Sequence, residues 1–226
     1  MKITAVIPCY NEEESIGSVI QSMPKEVEEI VIVDNNCTDK SAEIATNLGA
    51  KVVKETRKGY GFAHQKGYES ATGDVIVTID ADGQYPAQDI PKLVQHLIDH
   101  QLDFITCSRF PLSNKQSINA TRRLGNHALT FFTNLLFGMN IKDSQSGMWI
   151  FRKEKLPQFA PRHGDMPLSE EIKIRAFCNP NIAAKELFIS YDPRIGESKL
   201  FPAKHGLLNL LFLFKLKKEL LYEKRK

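Results

Sequence analysis

Two carboxylates one residue apart, Asp80 and Asp82, follow the apolar, β-branched run Val75-Ile76-Val77-Thr78-Ile79, with Gly83 and Gln84 just beyond. A strand that ends in D-x-D leaves both acids in a loop at its carboxyl end, where open α/β sheets bind their ligands. Two hard oxygen donors so close can hold a divalent ion and leave positions open for diphosphate oxygens. Taken alone, the pattern also has a plainer reading, because Asp and Gly are ordinary turn formers. Other groups fall where the same chemistry needs them. Pro8-Cys9-Tyr10-Asn11-Glu12 follows the first apolar run and supplies an aromatic face and polar groups. Asp34 ends the second, where its carboxylate can accept hydrogen bonds from a base or ribose. Lys58 lies in Arg57-Lys58-Gly59-Tyr60-Gly61, and glycine freedom with positive charge ahead of a helix suits a phosphate-facing loop. The alternative there is a turn with two basic surface residues. Arg194-Ile195-Gly196-Glu197-Ser198-Lys199 carries cations at both ends of a late loop, as a diphosphate clamp would.

These groups must be positioned by the apolar runs between them. Residues 3–7, 30–34, 51–53, 75–80 and 104–107 read as strands. Segments 12–22, 39–48, 62–71 and 90–99 read as helices, the second closed by Gly49 and the last starting through Pro91. Continuous rather than alternating apolar strands imply a sheet covered on both faces. Strands interleaved with helices of this length imply βαβ crossovers and a mostly parallel, Rossmann-like α/β sheet. The second half is less regular: a long helix over 121–137, strands at 149–151 and 187–191, and a helix around 169–177. The expected organisation is one unit over 1–203, with a nucleotide-binding half to about residue 110 and an acceptor-side half from 111, followed by an amphipathic basic helix over 204–226.

Composition narrows the class. At 226 residues, 42% hydrophobic and 25% charged, the chain is an ordinary globular protein with a substantial core. A net charge of +3 is too small to argue for nucleic acid. Cys9, Cys37, Cys107 and Cys178 are widely spaced, with no C-x-x-C pair, and read as free thiols in a reducing compartment. Met1 to Pro8 reads as a first strand rather than a signal peptide. No segment has the roughly 20 apolar residues needed to span a bilayer. A cytoplasmic location is expected.

Together, "IPCYNEEESI", "VIVDNNCTD", "ATGDVIVTIDADGQYP", "DSQSGMWIFR" and "RIGESKL", in this order, resemble the family 2 glycosyltransferases, which have the nucleotide-sugar-binding GT-A fold. The last three look like the branch typified by dolichyl-phosphate mannose and glucose synthases, and the likeness covers roughly residues 3 to 200. The resemblance implies that Pro8, Tyr10, Glu12 and Asp34 cradle the nucleoside, and that Asp80, Asp82 and Gln84 meet Mg2+ or Mn2+ and the sugar diphosphate. It implies that Arg109 lies near the donor and acceptor phosphates, with Arg122 and Arg123 as a basic pair before the acceptor-side helix. Asp143, Ser146 and Gly147 match the D-x-x-S-G motif of the sugar and acceptor pocket. Arg194, Ser198 and Lys199 match the loop that closes over diphosphate. Asn35 and Asn36 depart from the pattern, which often has a second acid after Asp34. Glu170 or Glu171 falls where family members carry an acid near the acceptor; acids favoured by a helix dipole are the alternative.

The activity implied by this resemblance is that of an inverting hexosyltransferase using a GDP- or UDP-hexose and a polyprenyl phosphate. A saccharide acceptor is the alternative, and a silent nucleotide-binding scaffold a more distant one. A nucleotidyltransferase would place a glycine-rich loop where Pro8 to Glu12 stands. The apolar run Gly206 to Phe214, succeeded by a basic tail, is too short to span a membrane. It suits either an interfacial helix on anionic lipid, on the cytoplasmic face, or a helix packed on the parent domain. His96 and His100, four apart, read as a solvated helix face.

Overall fold

Each β-branched run of the first half becomes a strand and each amphipathic segment a helix. A computed structural model describes residues 1–114, 116–196 and 202–223. In chain order the elements are β1 (Ile3–Cys9), α1 (Ile16–Gln21), β2 (Val27–Asp34), α2 (Ser41–Asn47), β3 (Lys51–Lys54), α3 (Tyr60–Ser70), β4 (Val75–Thr78), α4 (Ile90–Asp99) and β5 (Phe104–Ser108). After these come α5 (Ala120–Phe137), β6 (Trp149–Arg152), α6 (Leu156–Phe159), α7 (Leu168–Phe177), β7 (Ala184–Phe188) and α8 (Pro202–Glu223).

The seven strands form one sheet in the order β3-β2-β1-β4-β6-β5-β7. All pairings are parallel except those of β6, which runs antiparallel to both β4 and β5. Sheet growth therefore reverses between β1 and β4. At such a switch point the loops after the two strands part and open a crevice beyond their carboxyl ends. Here those loops carry Tyr10, Glu12, Asp80 and Asp82. Helices cover both faces, and buried apolar side chains fill a layer on each side, one around Ile7, Ile32 and Ile105, the other around Val6, Ile76 and Trp149. At Gly67 of α3 an added Cβ would lie 2.2 Å from Val6 Cγ1, so only glycine lets this helix sit so close to β1.

Two elements differ from the sequence expectation. The first helix starts at Ile16 rather than Glu12, because Ser15 turns its hydroxyl onto the Ala81 carbonyl (2.7 Å) and holds Glu12 to Ser15 in a turn beside the acidic loop. The last strand is Ala184–Phe188 rather than 187–191. Its register runs from Phe104 opposite Ala184 to Ser108 opposite Phe188. As an edge strand it tolerates Lys185 and Glu186, while Ile189 and Tyr191 are buried beyond its end. For the last helix, packing on the parent domain, one of the two expected placements, is present. α8 packs along α5, and Leu213 and Leu216 bury against Ile174 of α7, with Phe132, Leu136 and Phe137 of α5 around them.

Candidate active site

A cavity of about 830 Å³ opens at the switch point. Pro8, Tyr10, Glu12, Lys58, Asp80, Asp82, Gln84, Arg109, Arg122 and Arg194 all line it, so ten of the expected site residues share one space. Asp80 accepts a hydrogen bond from the Tyr60 hydroxyl at Oδ1 (3.0 Å). A Cβ at Gly147 would come within 2.9 Å of Asp80 Oδ2, so glycine there clears the space beside the carboxylate. Burial, and then the neighbouring charge of Asp82, push the Asp80 carboxyl up to about 7. Burial also raises Asp82, with Arg194 working against it. Asp82 Oδ2 accepts from Arg194 Nη1 (2.8 Å), and the same guanidinium pairs with Glu12.

Gln84 is engaged at both ends of its amide. Its oxygen accepts from the Tyr191 hydroxyl (2.9 Å), and its nitrogen donates to the Asp192 carbonyl (2.8 Å). The structure thus gives Gln84 the work of holding the 191–195 loop, which brings Arg194 over Asp82; the expected ligand role would fall to the second lone pair of its oxygen. Ser198 and Lys199 lie outside the described residues.

On the other side of the cavity, Arg109 is locked to Asp143 by two hydrogen bonds of 2.7 and 2.9 Å. Burial disfavours both charges, but each offsets that for the other. Asp143 stays below the usual carboxylate range and Arg109 well above its ordinary value. Tyr191 adds a ring face 5.2 Å from the guanidinium. The turn 143–147 is fixed from behind by the fully buried Lys173, whose ammonium donates to the carbonyls of Ser144 (2.8 Å) and Ser146 (2.6 Å).

Other expected residues lie elsewhere. Arg122 lines the cavity and Arg123 is exposed and does not, which resolves the basic pair. Glu171 does not line it either. Its carboxylate accepts from the backbone of Arg162 (2.9 Å) and His163 (2.8 Å) and from Arg175 (2.8 Å), an anchoring role that engages both oxygens away from the cavity. Asp34 caps a turn by accepting from Cys37 N (2.7 Å), and Asn35 is the residue after β2 that reaches the cavity wall. Asn35 also donates to the carbonyls of Glu55 and Arg57 and accepts from Gly59 N, so it positions the Lys58 loop. Tyr60 and Gln145 line the cavity from motif positions with no expected role of their own, and Asn209 lines it from outside the motifs. For Asn209 the signal is a polar residue inside an otherwise apolar run.

Among the described residues, no group of three or more His, Cys, Asp or Glu side chains is placed to hold a metal. Two carboxylates remain, a donor set that suits an ion completing its shell with phosphate and water, as Mg2+ does.

Comparison with known proteins agrees with this architecture. The model described as Glycosyl transferase family 2 matches residues 4–159. An uncharacterized glycosyltransferase of Mycobacterium tuberculosis is 36% identical over 207 residues, spanning 90% of this chain and 92% of that protein. A dolichyl-phosphate hexose transferase of Haloferax volcanii is 33% identical over 208 residues, spanning 90% and 89%. A UDP-N-acetylglucosamine–dolichyl-phosphate N-acetylglucosaminyltransferase of Methanococcus voltae is 32% identical over 177 residues, spanning 68% and 70%. Among solved structures, glucosyl-3-phosphoglycerate synthase of Mycobacterium tuberculosis in complex with Mg2+ and UDP matches with a TM-score of 0.75 at 21% identity, covering 94% of this chain and 79% of that one. That last likeness is one of fold.

Proposed function

The chain belongs to glycosyl transferase family 2, and from that premise we propose that it transfers a hexose from a nucleotide diphosphate sugar to a polyprenyl phosphate, with inversion and with Mg2+ or Mn2+ as cofactor. One observation carries the reading: a single cavity joins the acidic pair Asp80 and Asp82 to the arginines Arg109 and Arg122, and continues to α5 and α8. The relatives named for dolichyl-phosphate transfer support the lipid acceptor, and the complex with UDP supports a nucleotide donor.

Asp80 and Asp82 would hold the cation, whose chemistry is to neutralise charge on the departing diphosphate. Arg194 now occupies Asp82, so donor binding exchanges its carboxylate partners for phosphate and brings the 191–196 loop over the site. Tyr10, with Pro8 and Asn35, would frame the nucleoside, and Lys58 would approach the phosphates. Arg109 cannot drift, because Asp143 fixes it, and with Arg122 it offers preorganised positive charge to an acceptor phosphate. A phosphate is already an anionic nucleophile, so no general base is required. This agrees with Glu171 being bound elsewhere.

The acceptor's chain needs an apolar route. α5 exposes Leu124, Phe131 and Leu135, and α8 exposes Leu207, Leu208, Leu211 and Phe214. Leu124 stands on the cavity wall and Leu207 adjoins Gly206 of that wall. No helix among the described residues is long and apolar enough to cross a membrane. Exposed leucines with Lys215, Lys217 and Lys218 just beyond them suit an anionic bilayer surface. The test is transfer of labelled hexose from UDP-glucose, GDP-mannose or UDP-N-acetylglucosamine to undecaprenyl phosphate in vesicles with MnCl2. Label in the organic phase as a base-stable, acid-labile product is expected. Label only in soluble saccharide, or none, contradicts the lipid acceptor.

A further inference from the structure

Asn209 is the one polar side chain in the run Gly206 to Phe214, on a helix whose other inward positions are leucines. It is 5% exposed, and a buried amide in such a helix is costly unless it is partnered. Its nitrogen donates to Gln145 Oε1 (2.9 Å). Gln145 is the third residue of the turn Asp143-Ser144-Gln145-Ser146-Gly147, is half-buried and lines the cavity. Its own nitrogen donates to Ser144 Oγ (2.9 Å) and to Glu170. Three neighbours from three elements therefore fix the orientation of this amide.

Donor and acceptor counting then determines what Gln145 can offer. A carboxamide has two N–H donors and a carbonyl oxygen with two lone pairs. Both N–H groups are engaged by Ser144 and Glu170, and one lone pair by Asn209. The remaining capacity is one acceptor position. An acceptor repels phosphate oxygens and takes a hydroxyl, whereas the cationic Arg109 and Arg122 of the same cavity have the opposite preference. Resting on the reading that a nucleotide hexose binds here, we infer that Gln145 accepts a hydrogen bond from one hydroxyl of the transferred hexose, and that Asn209 of α8 is the positioning residue that aims it. The carboxyl-terminal helix would then be part of the sugar-selecting machinery as well as a lipid-facing surface.

Equilibrium binding separates this inference from the identity of the acceptor. The wild-type chain, Gln145→Met and Asn209→Leu are titrated with MnCl2 and UDP-glucose, GDP-mannose or UDP-N-acetylglucosamine, with analogues lacking one hydroxyl each, and with UDP and GDP. In the wild type, loss of one particular hydroxyl is expected to weaken binding about tenfold, the size of one hydrogen bond to a buried group. In Gln145→Met the parent sugar is already weakened about as much, loss of the same hydroxyl costs less than about twofold, and the bare diphosphate binds as before. Asn209→Leu leaves Gln145 in place but removes its orienting donor, so it should show part of the same non-additivity; it carries the test if Gln145→Met does not fold. Additive effects at every hydroxyl, or a wild type that binds nucleotide sugar no better than diphosphate, overturn the inference. Either result leaves the lipid-phosphate acceptor standing, because that is read separately by label transfer; failed transfer with the non-additivity intact would contradict the acceptor alone.

Discussion

The two ends of the cavity are built from opposite materials. At the donor end, charged side chains hang from strand ends and are already paired: Asp82 with Arg194, Arg109 with Asp143, Asp80 with the Tyr60 hydroxyl. At the other end, α5 and α8 meet through buried leucines and phenylalanines and turn a second set of apolar side chains to solvent. The donor end keeps its charges held in readiness by mutual pairing. The helical end leaves its second apolar face exposed among the described residues. One reaction that joins a charged nucleotide sugar to a greasy acceptor would require both.

That contrast can be broken at either end, and the expected effects differ in size. Asp82→Ala should lower kcat/KM on the order of a thousandfold, since it would remove a ligand of the proposed cation at the leaving group. Steady-state release of nucleoside diphosphate measures it, and a loss below tenfold would separate the acidic loop from the chemistry. Replacing Leu207, Leu211 and Phe214 together by Ser should weaken partitioning onto anionic vesicles by about a hundredfold, on roughly 1 kcal/mol per partly buried side chain. Binding of UDP or GDP should be unchanged. Flotation equal to wild type would mean that the apolar face serves something other than lipid. Arg122→Ala should raise KM for the lipid phosphate about tenfold or more, while Arg123→Ala stays within about twofold. Equal effects would contradict the assignment of Arg122 alone to the cavity wall.

Stability should respond at Glu170. Glu170 is fully buried, and burial raises its carboxyl to about 8, with Gln145 and Lys173 working in the other direction. The folded chain therefore keeps a proton that the unfolded chain releases near pH 4. Stability from this group is complete below that pH and is lost as pH rises toward 8, by up to about 1.4 kcal/mol per pH unit. Glu170→Gln should flatten that slope, so denaturant unfolding at pH 5, 6.5 and 8 should show the variant gaining on wild type as pH rises. A constant difference would mean that Glu170 is ionised in the fold.

Much of the donor end was legible because strand, turn and acid succeed one another locally. The apolar run before Asp80 fixed β4 to within two residues. What was not legible depended on distant pairing. The antiparallel course of β6 comes from its place between β4 and β5, which no local pattern encodes. The hold of Gln84 on Tyr191 spans more than a hundred residues and has no local signature. Asn209 was visible as an oddity in a leucine-rich run, but its partner Gln145 is reached only when α8 folds back against the turn.

The central claim, that the loop at residues 80–82 grips the diphosphate through a divalent cation, is tested most directly by titrating Mn2+ into the chain with and without UDP or GDP, tracking the electron paramagnetic resonance of free Mn2+. The expected result is weak binding of Mn2+ alone, binding at least tenfold tighter with the matching diphosphate, and loss of that coupling in Asp82→Asn. Diphosphate binding that is unchanged by Mn2+, together with full turnover in excess chelator, would contradict it.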